Sequence, residues 1–600
     1  MEKQESNRQF SRRSFLTGAV LGAAGVASGA LAGCDTSGGA SRGSAGVTIE
    51  TDGIEFEVFD TEVLILGTGN SALAASWQAL KEGRSVTMVD KGIYRRSGAS
   101  GWSWSCYSQL PFPTELGDLK TWLIDMPLWK NTLEFWNKTW DPDKYDCGIY
   151  QINNGQTAPM RTEEGQIAPY PAPGWLGHQY FRREMDQMKT MSRATVYDNT
   201  MVTNLLIQDG KCLGVIGVHI PTGKFRVFRA KATINCSGSS QWIYGWVKTK
   251  PVSLGGIENT GDLLAIQLRN GLSTAENEFS KYDFPSCILR VSYGLSLGAD
   301  YIHAGNFVDN QGKPLFDDPK SIDTASKLAQ AVAWAVADGR GSENGGAWLT
   351  YDEDQFGTIE RKETLKFMTE QLGQNPLLEP VEVLPEIFEK FGGPLVNGSM
   401  MTEVEGLFDC RGAGGPSIRP TPSIGSLLKI YGGYVGHTGS QYAEQNPGYP
   451  EKIDTQPILE EISRLTEIRT RKTKDGIRPH IIRENLQKRY YQHMSLIRVK
   501  EDLEDFLAEI ERIRAEDMPK MAIADHSTNW NKEWKEAIEN YNLLDVAEAA
   551  VRATLMREES RYQYIRPDFP KVDEDNWQCY IVVKYVDGTF ELSKQEIPSL

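Results

Sequence analysis

A glycine-rich turn directly after a short apolar run carries the clearest chemical signal in the sequence. Residues 63–66 are Val-Leu-Ile-Leu, and the pattern Gly-x-Gly-x-x-Ala that follows them leads into a helical stretch, 73–80. In such a turn the first glycine permits the tight bend, the second lets the backbone approach phosphates, and the small third residue lets the helix pack on the strand. We expect the free N–H groups of this helix to bind the pyrophosphate of a dinucleotide. The residues concerned are Gly67, Gly69, Asn70, Ser71 and Ala72.

An acidic residue at the end of the next apolar segment supports this interpretation. Asp90 follows the segment 85–89, about twenty residues after the turn, where dinucleotide-binding proteins place an acid on the ribose hydroxyls. A glycine-rich turn that binds no ligand is the alternative, but here the strand, turn, helix and acid occur together and in order. The sequence therefore predicts a nucleotide cofactor at this place.

The N-terminal segment 1–34 has the pattern of an export signal. The motif Ser-Arg-Arg-Ser-Phe-Leu at 11–16 is typical of twin-arginine export, and a stretch rich in Gly and Ala follows it. Leu31-Ala32-Gly33-Cys34 resembles a bacterial lipobox, so we expect cleavage before Cys34 and a lipid on its thiol. Residues 35–54 are then expected to form a flexible tether. These features predict an exported protein, periplasmic or on the outer face of the cell membrane and anchored there by the lipid.

Composition and the spacing of cysteine and histidine exclude several function classes. The formal net charge of −16 argues against nucleic-acid binding. The 8 cysteines and 7 histidines are dispersed, with no Cys-x-x-Cys, Cys-x-x-Cys-His or His-x-x-x-His pattern among them. We therefore expect no iron–sulfur cluster, c-type haem or metal site of the chain's own. No segment after the signal is long and apolar enough to cross a membrane.

Several further motifs, taken in order, resemble those of one flavoprotein family. Asp90-Lys91-Gly92 with Arg96-Ser97-Gly98-Ala99 is similar to its second flavin loop, and Asn259-Thr260-Gly261-Asp262 to the segment whose aspartate contacts the flavin nucleotide. Gly425-Ser426-Leu427 is similar to a helix start near the pyrophosphate, and Glu559-Ser560-Arg561 to the helical tail. The family comprises the flavoprotein subunits of succinate dehydrogenase, fumarate reductase, aspartate oxidase and adenylylsulfate reductase.

The resemblance implies both a fold and an FAD cofactor. The fold class is α/β, with a Rossmann-like FAD-binding domain, an inserted α+β capping domain and a helical C-terminal region. The FAD-binding domain is expected over 55–289 and 396–450, the capping domain over 290–395, and the helical region over 451–600. Besides the first turn, the implied cofactor-binding residues are Asp90, Lys91, Ser97, Gly98, Ala99, Gly238, Asp262, Gly425, Ser426 and Leu427.

The sequence also departs from the family at three places. Gly98 lies at about the place of the histidine that tethers FAD in succinate dehydrogenases, which implies non-covalent FAD. The His-Pro-Thr substrate motif is replaced by Lys-Tyr-Asp-Phe-Pro-Ser at 281–286, which is nearer to adenylylsulfate reductase. The His-Tyr-x-Met-Gly-Gly motif is absent. Simple succinate or fumarate chemistry is therefore not implied.

The candidate catalytic residues are those that could supply a proton and bind an anionic substrate. Arg340, in Asp-Gly-Arg-Gly, is similar to the family's proton-donating arginine, with a plain surface turn as the alternative. Arg290 and Arg419 lie near anion-binding arginines of the family, with surface salt bridges as the alternative. Tyr282 is a candidate hydrogen-bond donor to the substrate.

Three functions stay open from the sequence alone. The first is an exported FAD-dependent reductase that takes electrons from a separate haem or iron–sulfur protein, because the chain encodes no such centre. Its acceptor would be a small organic molecule with an activated double bond next to a carboxylate or carbonyl. The second is a sulfur-oxyanion reductase like adenylylsulfate reductase. The third is a lipoprotein whose flavin only relays electrons.

Overall fold

The structure is a computed structural model, and the residues that it describes belong to one unit, Gly43–Leu600. They are residues 46–94, 97–99, 194–247, 250–251, 256–287, 305–318, 321, 325–351, 369–370, 373, 375, 377–411, 424–449, 453–561 and 563–597. Within these ranges, no helix has both the length and the apolar composition of a membrane-spanning segment.

The described elements are mostly strands up to Asp409 and mostly helices beyond it. The strands are β1 (Val47–Thr51), β2 (Ile54–Leu66), β3 (Val86–Val89), β4 (Thr195–Tyr197), β5 (Thr200–Gln208), β6 (Lys211–His219), β7 (Lys224–Asn235), β8 (Trp246–Val247), β9 (Lys250–Pro251), β10 (Thr274–Ala275), β11 (Ser280–Cys287), β12 (Asn306–Val308), β13 (Ala347–Thr350), β14 (Val381–Lys390), β15 (Gly393–Pro394), β16 (Leu407–Asp409), β17 (Cys579–Val586) and β18 (Thr589–Glu596). The helices are α1 (Asn70–Lys81), α2 (Asp262–Arg269), α3 (Ala325–Ala337), α4 (Ile424–Gln445), α5 (Gln456–Thr470), α6 (Pro479–His493), α7 (Lys500–Arg512), α8 (Lys532–Met556) and α9 (Glu574–Trp577).

A mixed sheet carries the predicted nucleotide turn. Its strands run in the order β4-β3-β2-β7-β6-β5, with β1 beside β2 and β16 beside β7. Strands β4, β3, β2, β7 and β16 pair in parallel, whereas β5 and β6 extend the sheet as an antiparallel hairpin. The apolar run at the end of β2 is buried on both faces, as expected for a parallel strand. Val63 and Ile65 pack towards α1 and α4, and Leu64 and Leu66 pack towards α2.

A second, antiparallel sheet corresponds to the predicted capping domain. Its strand order is β11-β14-β13-β12, and α3 packs against β11 and β14. The sheet begins at Ser280, so its first strand falls inside the segment 55–289 that the sequence analysis gave to the FAD-binding domain. The predicted α/β fold with an inserted α+β part is confirmed, with this shift of the boundary.

The C-terminal region is helical up to α8 but ends in a hairpin that the sequence analysis missed. Strands β17 and β18 pair with each other, and β17 also pairs with β10. Asp587 and Gly588 form the turn with φ values of 49° and 82°, the left-handed geometry for which Asp-Gly is favoured in two-residue hairpins. The Asp-Gly pair between alternating apolar residues was therefore an available signal.

The expected tether over 35–54 is wrong for its last residues. Val47–Thr51 pairs antiparallel with the start of β2, through a turn at Asp52 and Gly53. Both turn residues have positive φ, as in the Asp-Gly hairpins elsewhere in the chain. The predicted signal and Cys34 lie outside the described residues.

Two glycines let helices α1 and α4 touch at the level of the backbone. A Cβ on Gly432 would clash with the carbonyl oxygen of Ser71, and a Cβ on Gly436 would lie 2.5 Å from the carbonyl oxygen of Ala75. Because these contacts advance in the same direction along both helices, the helices run parallel. Since α4 begins at Ile424, its N-terminus extends beyond that of α1 by roughly 10 Å at 1.5 Å per residue.

We predict that Gly432→Ala destabilises the protein by about 2 kcal/mol, because the added methyl group has no room against the backbone of α1. The measurement is the thermal unfolding midpoint of the full chain. Gly448→Ala is the matched control, since a Cβ on this exposed glycine meets nothing within 4 Å. Equal midpoints for the two variants would contradict the close helix contact.

Candidate functional site at the carboxyl edge of the parallel sheet

Neighbouring parallel strands end at the same level. Leu66 is paired with both Val89 and Asn235, and Asn235 is paired with Asp409. The segments that follow these residues therefore converge at one edge of the sheet. This is the edge at which α/β proteins bind ligands.

The first turn has the geometry that the sequence predicted. Gly67 has a φ of +106°, and a Cβ on it would lie 2.6 Å from the carbonyl oxygen of Cys236. Gly69 precedes α1 with extended backbone and no side-chain cap, so the first N–H groups of the helix stay available. Ala72 is completely buried, which explains why a small residue is needed at this position. Asn70 and Ser71 are the first two residues of the helix. An anion at this place would meet free N–H groups and the positive end of the helix dipole.

Asp90 organises the second loop. Its carboxylate accepts hydrogen bonds from Thr68 Oγ1 at 2.6 Å, from the backbone N–H of Gly92 at 2.8 Å and from Ser97 Oγ at 3.1 Å. These bonds leave acceptor capacity on both oxygens for ribose hydroxyls. Gly98, which follows Ser97, has a φ of +74°, and Ala99 lies beside it in the same loop. The structure thus brings Asp90, Ser97, Gly98 and Ala99 together next to the first turn.

Lys91 and Asp262 have a partner that the sequence analysis missed. Lys91 Nζ lies 2.7 Å from Asp262 Oδ2 and 2.7 Å from Glu539 Oε1, on helix α8. The remaining cations around Glu539 are Arg483, at 3.0 Å, and Lys535, at 3.2 Å. No sequence signal could have shown this contact, because Lys91 and Glu539 are 448 positions apart.

The charges of this group hold one another ionised. Burial alone would raise the pKa of Glu539, but Lys535, Lys91 and Arg483 outweigh it and hold that pKa well below its ordinary value. Burial would likewise lower the pKa of Lys91, but Asp262 and Glu539 raise it. The second loop is thereby tied to the C-terminal helical region by a buried ionic contact.

Buried polar atoms without a partner lie beside the turn after β7. Ser239 Oγ, Ser240 Oγ and Asn259 Oδ1 make no hydrogen bond to any described residue. A Cβ on Gly238 would lie 2.9 Å from Asn259 Nδ2, so glycine (φ +82°) lets the backbone after β7 approach Asn259 closely. Buried polar groups of this kind call for an unseen partner, and the hydroxyls and phosphates of a flavin nucleotide have the required chemistry. The residues at this edge therefore fit FAD.

The N-terminus of α4 completes the edge. Gly425, Ser426 and Leu427 form its first turn. Because α4 runs parallel to α1 and extends past it, Gly425, Ser426 and Leu427 lie on the ligand side of the glycine-rich turn at Gly67. A second helix N-terminus thus faces the same place.

A buried carboxylate behind the edge was also missed by the sequence analysis. Asp409 Oδ2 accepts hydrogen bonds from Asn235 Nδ2 and Gln267 Nε2, both at 2.7 Å. Burial raises the pKa of Asp409, which these bonds counteract only in part. The polar residues that end strands β7 and β16, Asn235 and Asp409, were the available signal.

Arg411 joins the capping sheet to the parallel sheet. It follows β16 at the carboxyl edge, forms an ion pair with Glu389 and donates a hydrogen bond to the carbonyl oxygen of Lys390 at 3.2 Å. Glu389 and Lys390 end strand β14 of the capping sheet. This contact holds the end of β14 next to the cofactor edge.

The structure describes two of the four predicted catalytic residues, Arg340 and Tyr282. Arg340 donates to Asp309 at 2.8 Å and to Asp338 at 3.2 Å, and its side chain is 33% exposed. Asp309 raises the pKa of Arg340, which opposes release of a proton, so its role as an acid stays a prediction. Tyr282 is completely buried, with its hydroxyl in the protein interior. Its contact with substrate also stays a prediction, and Arg290 and Arg419 lie outside the described residues.

Two family models match the chain: an FAD binding domain over residues 113–492 and a fumarate reductase flavoprotein C-terminal domain over 483–598. The first match begins after the turn at Gly67, so the role of that turn rests on its geometry. The chain belongs to the FAD-binding family of fumarate reductase and succinate dehydrogenase flavoproteins. It is an FAD-dependent oxidoreductase, and the predicted cofactor is confirmed.

The relatives of the chain are similar over most of its length. It is 24% identical to one subunit of the fumarate reductase (CoM/CoB) of Methanothermobacter marburgensis, over 88% of this chain and 98% of that protein. It is 26% identical to the fumarate reductase flavoprotein subunit of Mycobacterium tuberculosis, over 72% and 79% of the two chains.

Two solved structures show the same fold. A variant of the E. coli quinol fumarate reductase has a TM-score of 0.76 and 17% identity over 90% of this chain and 97% of its own. Adenylylsulfate reductase from Archaeoglobus fulgidus has a TM-score of 0.67 and 18% identity over 92% and 98%.

We predict that Glu539→Gln destabilises the FAD-loaded protein by about 3 kcal/mol at neutral pH, because Lys91, Arg483 and Lys535 lose a buried counter-charge. The measurement is the unfolding midpoint as a function of pH. A carboxyl whose pKa is lowered on folding stabilises the protein above its unfolded pKa, about 4.5, and this stabilisation is lost progressively as the pH falls below that value. The difference between wild type and variant is therefore expected to shrink in acid.

The matched control is Glu558→Gln, at an exposed position just beyond the end of helix α8, which contains Glu539. It is expected to change the midpoint little at any pH. A Glu539→Gln variant as stable as this control at neutral pH would show that the buried ionic contact does not stabilise the fold.

Proposed function

We propose that this protein is an extracytoplasmic FAD-dependent reductase that passes electrons from a separate redox protein to a small organic acceptor. The acceptor proposed is an activated C=C bond next to a carboxylate or carbonyl. Bound FAD supplies a hydride donor for such a bond. The relatives named fumarate reductase, which match this chain over most of its length, support this class of reaction.

The observation that carries the proposal is the position of the end of β14 in the capping sheet. Arg411 holds this strand end against the carboxyl edge at which the two helix N-termini meet. A substrate between the capping sheet and the edge would therefore lie on the cofactor and out of water. The chain's part in the reaction is to bind, orient and enclose the acceptor.

The electron donor and the location of the protein are further parts of the proposal. The dispersed cysteines favour a separate haem or iron–sulfur protein as the donor, and Cys212, Cys236, Cys410 and Cys579 are free thiols. The twin-arginine motif and Cys34 favour export and a lipid anchor on the outer face of the membrane. Gly98 favours FAD that is bound without a covalent link.

The proposed function predicts that dithionite-reduced viologen is oxidised by the purified protein in the presence of one or more enoates. Reduction of sulfur oxyanions instead of enoates would favour chemistry like that of adenylylsulfate reductase. A flavin that is reduced by viologen but oxidised by no acceptor would favour an electron relay. Either result would contradict the proposal.

The same assay tests the predicted acid. If Arg340 donates the proton, Arg340→Ala lowers kcat by about 100-fold or more while FAD stays bound. Asp309→Asn is the companion variant, because it removes the shorter of the two ion pairs of Arg340 and leaves the guanidinium and its contact with Asp338 in place. Full activity of Arg340→Ala would show that Arg340 is not the proton donor and only forms part of a surface turn.

A further inference from the structure

Four large polar side chains meet in the protein interior. Tyr244, Tyr282, Tyr490 and Arg498 are each at most 1% exposed. Tyr244 belongs to the turn after β7, Tyr282 to strand β11 of the capping sheet, and Tyr490 to helix α6, with Arg498 shortly beyond it. We call these four residues the phenol–arginine cluster. It joins three parts of the fold.

The phenol groups face one another. The Tyr244 and Tyr490 rings pack edge to face with centroids 5.0 Å apart, and the Tyr244 hydroxyl lies 2.6 Å from Ser280 Oγ. The hydroxyls of Tyr282 and Tyr490 both neighbour that of Tyr244. The positive charge of Arg498 acts on all three phenols.

Three polar atoms of the cluster lack a partner. The Tyr282 hydroxyl, the Tyr490 hydroxyl and Arg498 Nη2 make no hydrogen bond of normal geometry to any described residue, although Tyr282 lies near Ser495 and Tyr490 lies near Tyr244. A buried donor without a partner destabilises the folded protein, and more so when it is charged. Three such donors around one place indicate something that accepts from all of them.

The charge of Arg498 is not compensated by the groups that it contacts. Its guanidinium donates to the carbonyl oxygens of Ser495 and Glu278 and to the hydroxyl of Thr554, all of them neutral. One oxygen of the Glu278 carboxylate is engaged by Arg557 at 2.8 Å, and the other makes no hydrogen bond to any described residue. A fully buried cation needs a counter-ion, which a water molecule could not provide.

The phenols do not supply that counter-ion themselves. Burial raises the pKa of Tyr282 and of Tyr490 well above the ordinary value, and the opposing effect of Arg498 is smaller. Both phenols are therefore neutral hydrogen-bond donors at physiological pH.

We propose that the phenol–arginine cluster binds one small monovalent anion, for which chloride and bromide are suitable probes. The anion accepts hydrogen bonds from Tyr282, Tyr490 and Arg498 Nη2, and it neutralises the guanidinium. Its role is to hold helix α6 against the capping sheet. The proposal does not depend on the proposed reaction, because it requires neither bound FAD nor an acceptor at the cluster.

Bromide-soaked crystals of the FAD-loaded full chain test the site directly. We expect one anomalous peak per chain within hydrogen-bond distance of Tyr490 Oη and Arg498 Nη2. Equilibrium dialysis with labelled chloride is expected to show one tightly held ion, with its affinity at least tenfold weaker in Tyr490→Phe. Tyr434→Phe is the matched control, since this buried hydroxyl donates elsewhere, to the carbonyl oxygen of Gly398 at 2.7 Å.

Thermal unfolding gives a second readout, because the change in the unfolding midpoint of Tyr490→Phe differs between a cluster that binds an anion and one that binds nothing. If an anion is bound, Tyr490→Phe lowers the unfolding midpoint in chloride but not in gluconate of equal ionic strength. If nothing is bound, removal of an unpartnered hydroxyl leaves the midpoint unchanged or raises it in both salts. A water molecule in place of bromide, or a phenolate absorption band at neutral pH that Tyr490→Phe or Tyr282→Phe abolishes, would overturn the proposal.

Discussion

The site depends on how closely two parallel helices approach each other. Helices α1 and α4 meet where Gly432 and Gly436 face the carbonyl groups of Ser71 and Ala75, and neither glycine has room for a side chain. This contact fixes the direction and the axial position of α4 relative to the sheet. Both helix N-termini then lie at the carboxyl edge, where their free N–H groups can share one anionic cofactor.

Electrostatic contacts attach the other parts of the chain to this edge. The buried group around Lys91 and Glu539 ties the second loop to the C-terminal helices, and Arg411 ties the end of β14 to the parallel sheet. Because both contacts are buried, the loss of one partner would leave an uncompensated charge. The second loop is therefore held against helix α8, and the end of β14 is held against the carboxyl edge of the parallel sheet.

Local features of the site could be predicted from the sequence because they depend on neighbouring residues. The turn at Gly67 requires glycine for its positive φ, and Asp90 directly follows the short buried strand β3. The contacts of Lys91 with Glu539 and of Asn235 with Asp409 could not be predicted in this way, because they join distant segments. Arg340 shows the same limit: its motif suggested a proton donor, but the nearby Asp309 engages its guanidinium.

We propose that FAD binds without a covalent link at the carboxyl edge of the parallel sheet. The most direct measurement is the visible absorption spectrum of the purified protein, followed by acid precipitation. We expect yellow protein with about one flavin per chain, and we expect acid to release this flavin into the supernatant. Colourless protein that takes up no added FAD would contradict the claim, and flavin that stays with the precipitate would contradict its non-covalent form.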